Sequence, residues 1–233
     1  PRNVMVSPLS GVEQGEYFDV LPYAERAGDY LMGIIKTVKL PRKLKVGFSN
    51  SPANVTHATF RDLGFVAKEN GRFDVYSAGG LGNNYKMGVK VAEDVKPEEV
   101  LYYVEAMVRT FTTYGNYESR AKSRTRYMQE TLGIEGYKKA YQEKLLEVKA
   151  ELKDALLIKE TQVQSKQGDD AKEAGNVNKN VTAYPQAESA SERVIAQKQA
   201  GRYAVAYHPV GGMVPAQKFG EIYAVIKDAT NAE

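Results

Sequence analysis

"LGFVAKENGRFDVYSAGGLG", residues 63–82, is the stretch from which the fold follows. Phe65 to Lys68 is strand-like, Glu69-Asn70-Gly71 is a turn, and Phe73 to Ala78 is strand-like again. That is the pattern of a β-hairpin. The second strand runs into Gly79-Gly80-Leu81-Gly82. Glycines at a strand end allow close backbone approach and leave N–H groups facing a cavity. They do not make a dinucleotide fingerprint, because no third glycine opens a helix at the required spacing and Asn83, Asn84 and Tyr85 follow instead.

Upstream, "LPRKLKVGFSN" (residues 40–50) predicts a strand over about 42–49. Side chains alternate across a strand, so Leu44, Val46 and Phe48 share an apolar face. Lys43, Lys45, Gly47 and Ser49 share the other, with Arg42 on the apolar side at the start. Gly47 and Ser49 are expected to keep the lysine face open to something that approaches it. The pattern alone leaves two readings: a solvated edge protected by lysines, or a site built to hold an anion.

Around these strands the spacing predicts helices. Residues 1–12 read as an extended start broken by Ser-Pro and Ser-Gly turns. Glu16 to Thr37 is helical in pattern, with Leu31, Ile34, Ile35 and Val38 at helical spacing and Pro22 as an interruption. Pro97 to Tyr114 is amphipathic, with Val100, Leu101, Val104, Val108 and Phe111 on one stripe and Gly115 at the end. Two more helices are expected, over about 119–132, closed by Gly133, and over Ile134 to Lys159. Arg120, Lys122, Arg124 and Arg126 recur every second position. On a helix they would splay around it, as a solvated face or as contacts to carboxylates or another domain, and none is taken as a site.

Residues 160–198 are polar and poor in large apolar side chains, and are expected to form a linker. Structure resumes over 199–233, where Tyr203, Val205 and Tyr207 alternate as in a strand, and Phe219, Ile222, Tyr223 and Ile226 stripe a helix. One strand and one helix cannot close a core. Together with Pro1 in place of an initiator methionine, this reads as a piece of a longer protein. The expected domains are therefore 1–159, the linker, and the opening of a second unit.

Composition bounds the function. The chain has 233 residues, 32 Lys+Arg against 29 Asp+Glu, and a formal charge of +3. That balance argues against nucleic acid or an anionic membrane as the main partner, and no apolar run reaches the roughly 18 residues of a membrane helix. Cysteine is absent, which excludes thiolate nucleophiles and cysteine-held metals within the chain. The two histidines, His57 and His208, lie far apart without ligand spacing, and no metal site is expected.

Taken in order, "RNV" (2–4), "LPRKLK" (40–45), "GGLG" (79–82) and "YGNYESRAKSRTRY" (114–127) resemble the motifs of the siroheme-dependent sulfite and nitrite reductases. "EEVLYYVEAMVRTF" is similar to the helix before the last motif, and "YAVAYHPVGGMVPAQKFGEIYAVI" to the start of the family's second ferredoxin-like half. The resemblance covers nearly the whole chain apart from the linker. It implies an α+β fold: a siroheme-binding domain of mixed sheet with flanking helices, followed by a truncated ferredoxin-like half.

The resemblance also implies roles. Arg2, Lys43 and Lys45 match the distal cations that bind the substrate anion. Arg42 matches a contact to siroheme carboxylate, and Gly79, Gly80, Leu81 and Gly82 match the loop along the macrocycle. The activity implied is the six-electron reduction of sulfite to sulfide in a cytoplasmic enzyme served by a ferredoxin or a flavoprotein subunit. Nitrite reduction to ammonia is the alternative, and family members that prefer nitrite tend to carry Asn where this chain has Lys45. The family's [4Fe–4S] cluster is held by four cysteines in its second half, and this chain has none. The isolated chain is therefore expected to be inactive. A cofactor-free anion-binding module is a further alternative.

Overall fold

The computed structural model describes residues 3–159, 163, 193–200 and 202–230. The chain divides into two compact units, Pro1–Thr182 and Ala183–Glu233. In the first, five strands form one mixed sheet in sequence order: β1 (Asn3–Met5), β2 (Lys45–Ser49), β3 (Leu63–Ala67), β4 (Phe73–Ser77) and β5 (Val89–Val95). β1, β2 and β3 run parallel, whereas β3, β4 and β5 are antiparallel. The helices are α1 (Leu21–Gly33), α2 (Val100–Tyr114) and α3 (Met128–Leu152). This is an α+β architecture, as expected.

The hairpin forms with Phe65 opposite Val75 and Ala67 opposite Phe73. Leu44, Val46 and Phe48 are fully buried. Phe48 stacks on Phe65 at 4.6 Å, and Phe73 packs edge-on against both. α1 begins later and ends earlier than the pattern predicts, and Pro22 opens it rather than interrupting it. Proline suits a first helical turn, where its missing N–H would have had no partner.

β5 is absent from the sequence-based expectations. Its signal is the alternation of Val89 and Val91, cut short by register shifts against β4 and by Asp94 at φ 52°. The helix expected over 119–132 is replaced by two short 3-10 turns, Arg120–Lys122 and Thr125–Tyr127. The reason is tertiary: Arg124 and Thr125 are drawn to Asp62. α3 starts at Met128 and is broken at Gly133, whose φ of 69° leaves the helical path.

The segment between β2 and β3 lies flat across the sheet, because glycines leave room for it. A Cβ on Gly64 would stand 1.9 Å from the Ala58 carbonyl oxygen, one on Gly79 2.9 Å from Phe60 Cα, and one on Gly88 2.8 Å from the Thr59 oxygen. Gly79 and Gly88 donate their N–H groups to Arg61 and Thr59 carbonyls at 2.9 and 2.8 Å.

In the second unit, β6 (Val194–Ala196) pairs antiparallel with β7 (Tyr203–Val205), and α4 (Ala216–Thr230) follows. β6 falls inside the stretch expected as linker; most of the remainder of that stretch lies outside the described residues.

Candidate functional site

The basic strand, the glycine loop and the arginine segment meet at one cavity of about 460 Å³. Its walls include Arg42, Lys43 and Lys45 from the approach to β2 and its start, and Gly80, Leu81 and Gly82 after β4. Arg120, Arg124 and Arg126 come from the 3-10 segment, and Arg61 and Asp62 from the entry to β3. Among the described residues, seven cations and a single carboxylate therefore line this cavity. Such a site attracts anions strongly, since low-dielectric walls focus the field of clustered like charges.

Each element is held in place. Gly80 and Lys86 exchange two backbone hydrogen bonds of 2.9 Å, closing the glycine loop into a small hairpin. Gln129, in the first turn of α3, donates to the carbonyls of Ala78 and Met87 at 2.8 Å and clamps both legs of that loop. Lys45 donates its backbone N–H to Asp62 at 2.9 Å. Arg61 donates Nε–H to the Thr56 carbonyl at 2.8 Å. Burial lowers the Arg61 guanidinium pKa from its usual range, and the charge of Asp62 opposes that shift.

Of the residues singled out in the sequence, Arg42, Lys43, Lys45, Gly80, Leu81 and Gly82 come together here. Gly79 sits behind the wall, with Phe60 and Arg61 backbone occupying the space its missing side chain leaves. Gly47 and Ser49 do not open the lysine face. Arg61 methylenes cover Gly47, and Ser49 is buried with its hydroxyl donating to the Ser51 carbonyl at 2.9 Å. The approaching group is the protein's own arginine. Arg2 lies outside the described residues.

Arg126 is the residue that sequence reasoning undervalued. It is only 8% exposed, its Nε has no hydrogen-bond partner among the described residues, and its guanidinium lies against Gly80 and Gly82. Arg124 Nε likewise has no partner among the described residues. Buried donors lacking an acceptor are rare in folded proteins, and both of these lie in the segment that lines the cavity. The every-second-position arginines were the available signal; a helical reading hid that they converge.

A profile of the family described as "Nitrite and sulphite reductase 4Fe-4S domain" matches residues 1–149. The chain belongs to this family. It is 29% identical over 150 residues to "Sulfite reductase [ferredoxin] 1" of Mycolicibacterium paratuberculosis, covering 63% of this chain and 27% of that one. It is 28% identical over 179 residues to the "Sulfite reductase [NADPH] hemoprotein beta-component" of Anoxybacillus flavithermus, covering 62% and 31%. Among solved structures, the Mycobacterium tuberculosis NirA protein superposes with a TM-score of 0.56 at 28% identity over 62% of this chain and 27% of that one. The chain thus spans under a third of the length of these relatives.

Membership in this reductase family raises the question of which of its groups the residues suit. The cation excess of the lining fits a ligand bearing several carboxylates, as siroheme does. The chain contributes no cysteine, so it supplies none of the thiolates that an iron–sulfur cluster requires. No helix among the described residues is long and apolar enough to cross a membrane.

Proposed function

We propose that this chain forms the siroheme- and substrate-facing part of a sulfite reductase, working within a longer protein that reduces sulfite to sulfide. One observation carries the reading: Lys43 and Lys45, Arg42 and Arg126, and the Gly80–Gly82 loop converge on one cavity whose wall, among the described residues, holds a single carboxylate. The names of the relatives, sulfite reductases both, agree with it.

Siroheme, when bound, supplies the iron that ligates the anion and delivers electrons to it. Arg42, Arg120 and Arg126 would hold its carboxylates, since planar guanidinium groups pair with carboxylates in two-point fashion. The Gly80–Gly82 loop would let backbone approach the macrocycle, with Gly79 anchoring the loop from behind. Lys43 and Lys45 would hold the oxyanion through compact ammonium charges and relay protons from solvent to its oxygens. Arg2 joins them on the strength of the resemblance. Electrons would come from a ferredoxin or a flavoprotein subunit by way of a [4Fe–4S] cluster held outside this chain.

Sulfite carries more negative charge than nitrite, so the extra cation at Lys45 favours sulfite. The test is Lys45→Asn in the longer reductase, with sulfite and nitrite turnover compared. A fall in the sulfite-to-nitrite ratio is expected, and an unchanged ratio removes Lys45 from specificity. The chain by itself, supplied with siroheme and a strong reductant, is expected to yield neither sulfide nor ammonia while still binding the tetrapyrrole. Failure to bind any polycarboxylate tetrapyrrole would overturn the reading.

A further inference from the structure

An acidic group in the wall of an anion site needs a reason, because its charge repels the ligand. Asp62 is 1% exposed and stands among the cavity's cations. Its Oδ2 accepts the Lys45 backbone N–H at 2.9 Å and Arg124 Nη2 at 3.0 Å. Its Oδ1 accepts the same Nη2 at 3.1 Å and the Thr125 hydroxyl. A carboxylate offers about four acceptor positions, and all are used inward. The backbone carbonyl of Asp62 adds the Ala78 N–H at 2.8 Å, one residue before the glycine loop.

We infer that Asp62 is the positioning residue of this cavity. It ties the start of β2 at Lys45, the segment carrying Arg124 and Arg126, and the end of the strand leading into Gly80–Gly82 to one buried point. Arg124 is thereby engaged with the protein itself, while Lys45 and Arg126, on the two segments that Asp62 joins, are held at fixed places for the ligand. The inference rests on the cavity being a site for a polycarboxylate tetrapyrrole, and its test separates the two.

Coulomb's law and positioning give opposite signs for one substitution. Asp62→Asn removes a negative charge, so a simple charge effect tightens anion binding. If Asp62 positions the cations, the same change weakens binding, because an amide cannot satisfy all three donors. Iron-free siroheme is titrated onto the 233-residue chain and followed by its fluorescence, well below the unfolding temperature of each variant. Asp62→Asn is expected to lower affinity roughly tenfold, and the isosteric Thr125→Val about threefold. The effects of Asp62→Asn and Arg124→Gln are expected to be non-additive.

Hydrogen exchange at the Lys45 amide reads the inference without any ligand. Its protection is expected to drop in both Asp62→Asn and Thr125→Val. Unchanged or tighter binding in a folded Asp62→Asn overturns the inference. So does unchanged Lys45 protection, which still decides the matter if the wild-type chain fails to bind and the ligand reading falls. Should Asp62→Asn not fold, Thr125→Val takes its place: wild-type affinity and wild-type protection there would overturn the inference.

Discussion

The side chain of Arg61 lies across Gly47, so that a Cβ on this glycine would stand 2.9 Å from Arg61 Cγ. A strand face that reads as open for a ligand is in fact roofed by the chain's own return path. The 51–62 segment crosses the sheet on Gly47, Gly64, Gly79 and Gly88, and delivers Arg61 and Asp62 to the cavity.

These glycines differ in what they touch, and stability should follow that difference. Gly64→Ala places a methyl 1.9 Å from a backbone oxygen that cannot swing away. It is expected to cost about 3 kcal/mol or more. Gly47→Ala meets a flexible arginine methylene and should cost about 1 kcal/mol. Denaturant unfolding of the two variants checks the ranking, and equal midpoints would refute the packing argument.

Gly82→Ala tests function without the fold. Its Cβ would come 2.8 Å from Arg126 Nη2, the far end of a flexible side chain. Unfolding should shift by no more than about 0.5 kcal/mol, while the displaced guanidinium lowers affinity for a tetrapyrrole carboxylate severalfold. Parallel unfolding and fluorescence titrations separate the two effects.

Arg126→Met should trade function for stability. Arg126 is buried without an ion pair among the described residues, stacked on Tyr127 at 5.1 Å, and its Nε lacks an acceptor. Replacing such a charge with an apolar side chain of similar length is expected to stabilise the ligand-free chain by about 1 kcal/mol. Tetrapyrrole binding should weaken at the same time. A variant that is both less stable and equally tight-binding would contradict the assignment.

Alkaline pH should unfold the chain through its buried tyrosines. Burial pushes the Tyr103 phenol from its ordinary 10.0 up to about 12, with Glu99 adding to the shift, and burial raises Tyr137 and Tyr141 as well. The unfolded chain therefore releases these protons first. Stability is full below the ordinary tyrosine value and falls as pH rises through the raised, folded-state values. Absorbance of tyrosinate and circular dichroism should report one shared transition there. Release of all tyrosine protons near the ordinary value, with the fold intact, would refute the burial assignment.

Local pattern was enough for the hairpin, the apolar face of β2 and the amphipathic α2, because side-chain periodicity and turn chemistry act between residues close in the chain. It also marked Arg42, Lys43, Lys45 and the Gly80–Gly82 turn as residues of interest, and ordered motifs tied them to a family. β5 escaped because a bulge spoils its alternation, and the 119–132 helix was expected because helical spacing cannot see a partner sixty residues away.

Residue order alone thus sets most of the elements and places excess positive charge beside a glycine turn. Three-dimensional packing settles which cations share a cavity, that Arg61 rather than a ligand covers Gly47, and that Asp62 binds strand to arginine segment. The difference is one of range. Periodicity is governed by neighbours along the backbone, whereas a buried carboxylate selects its partners by where desolvated donors converge in space.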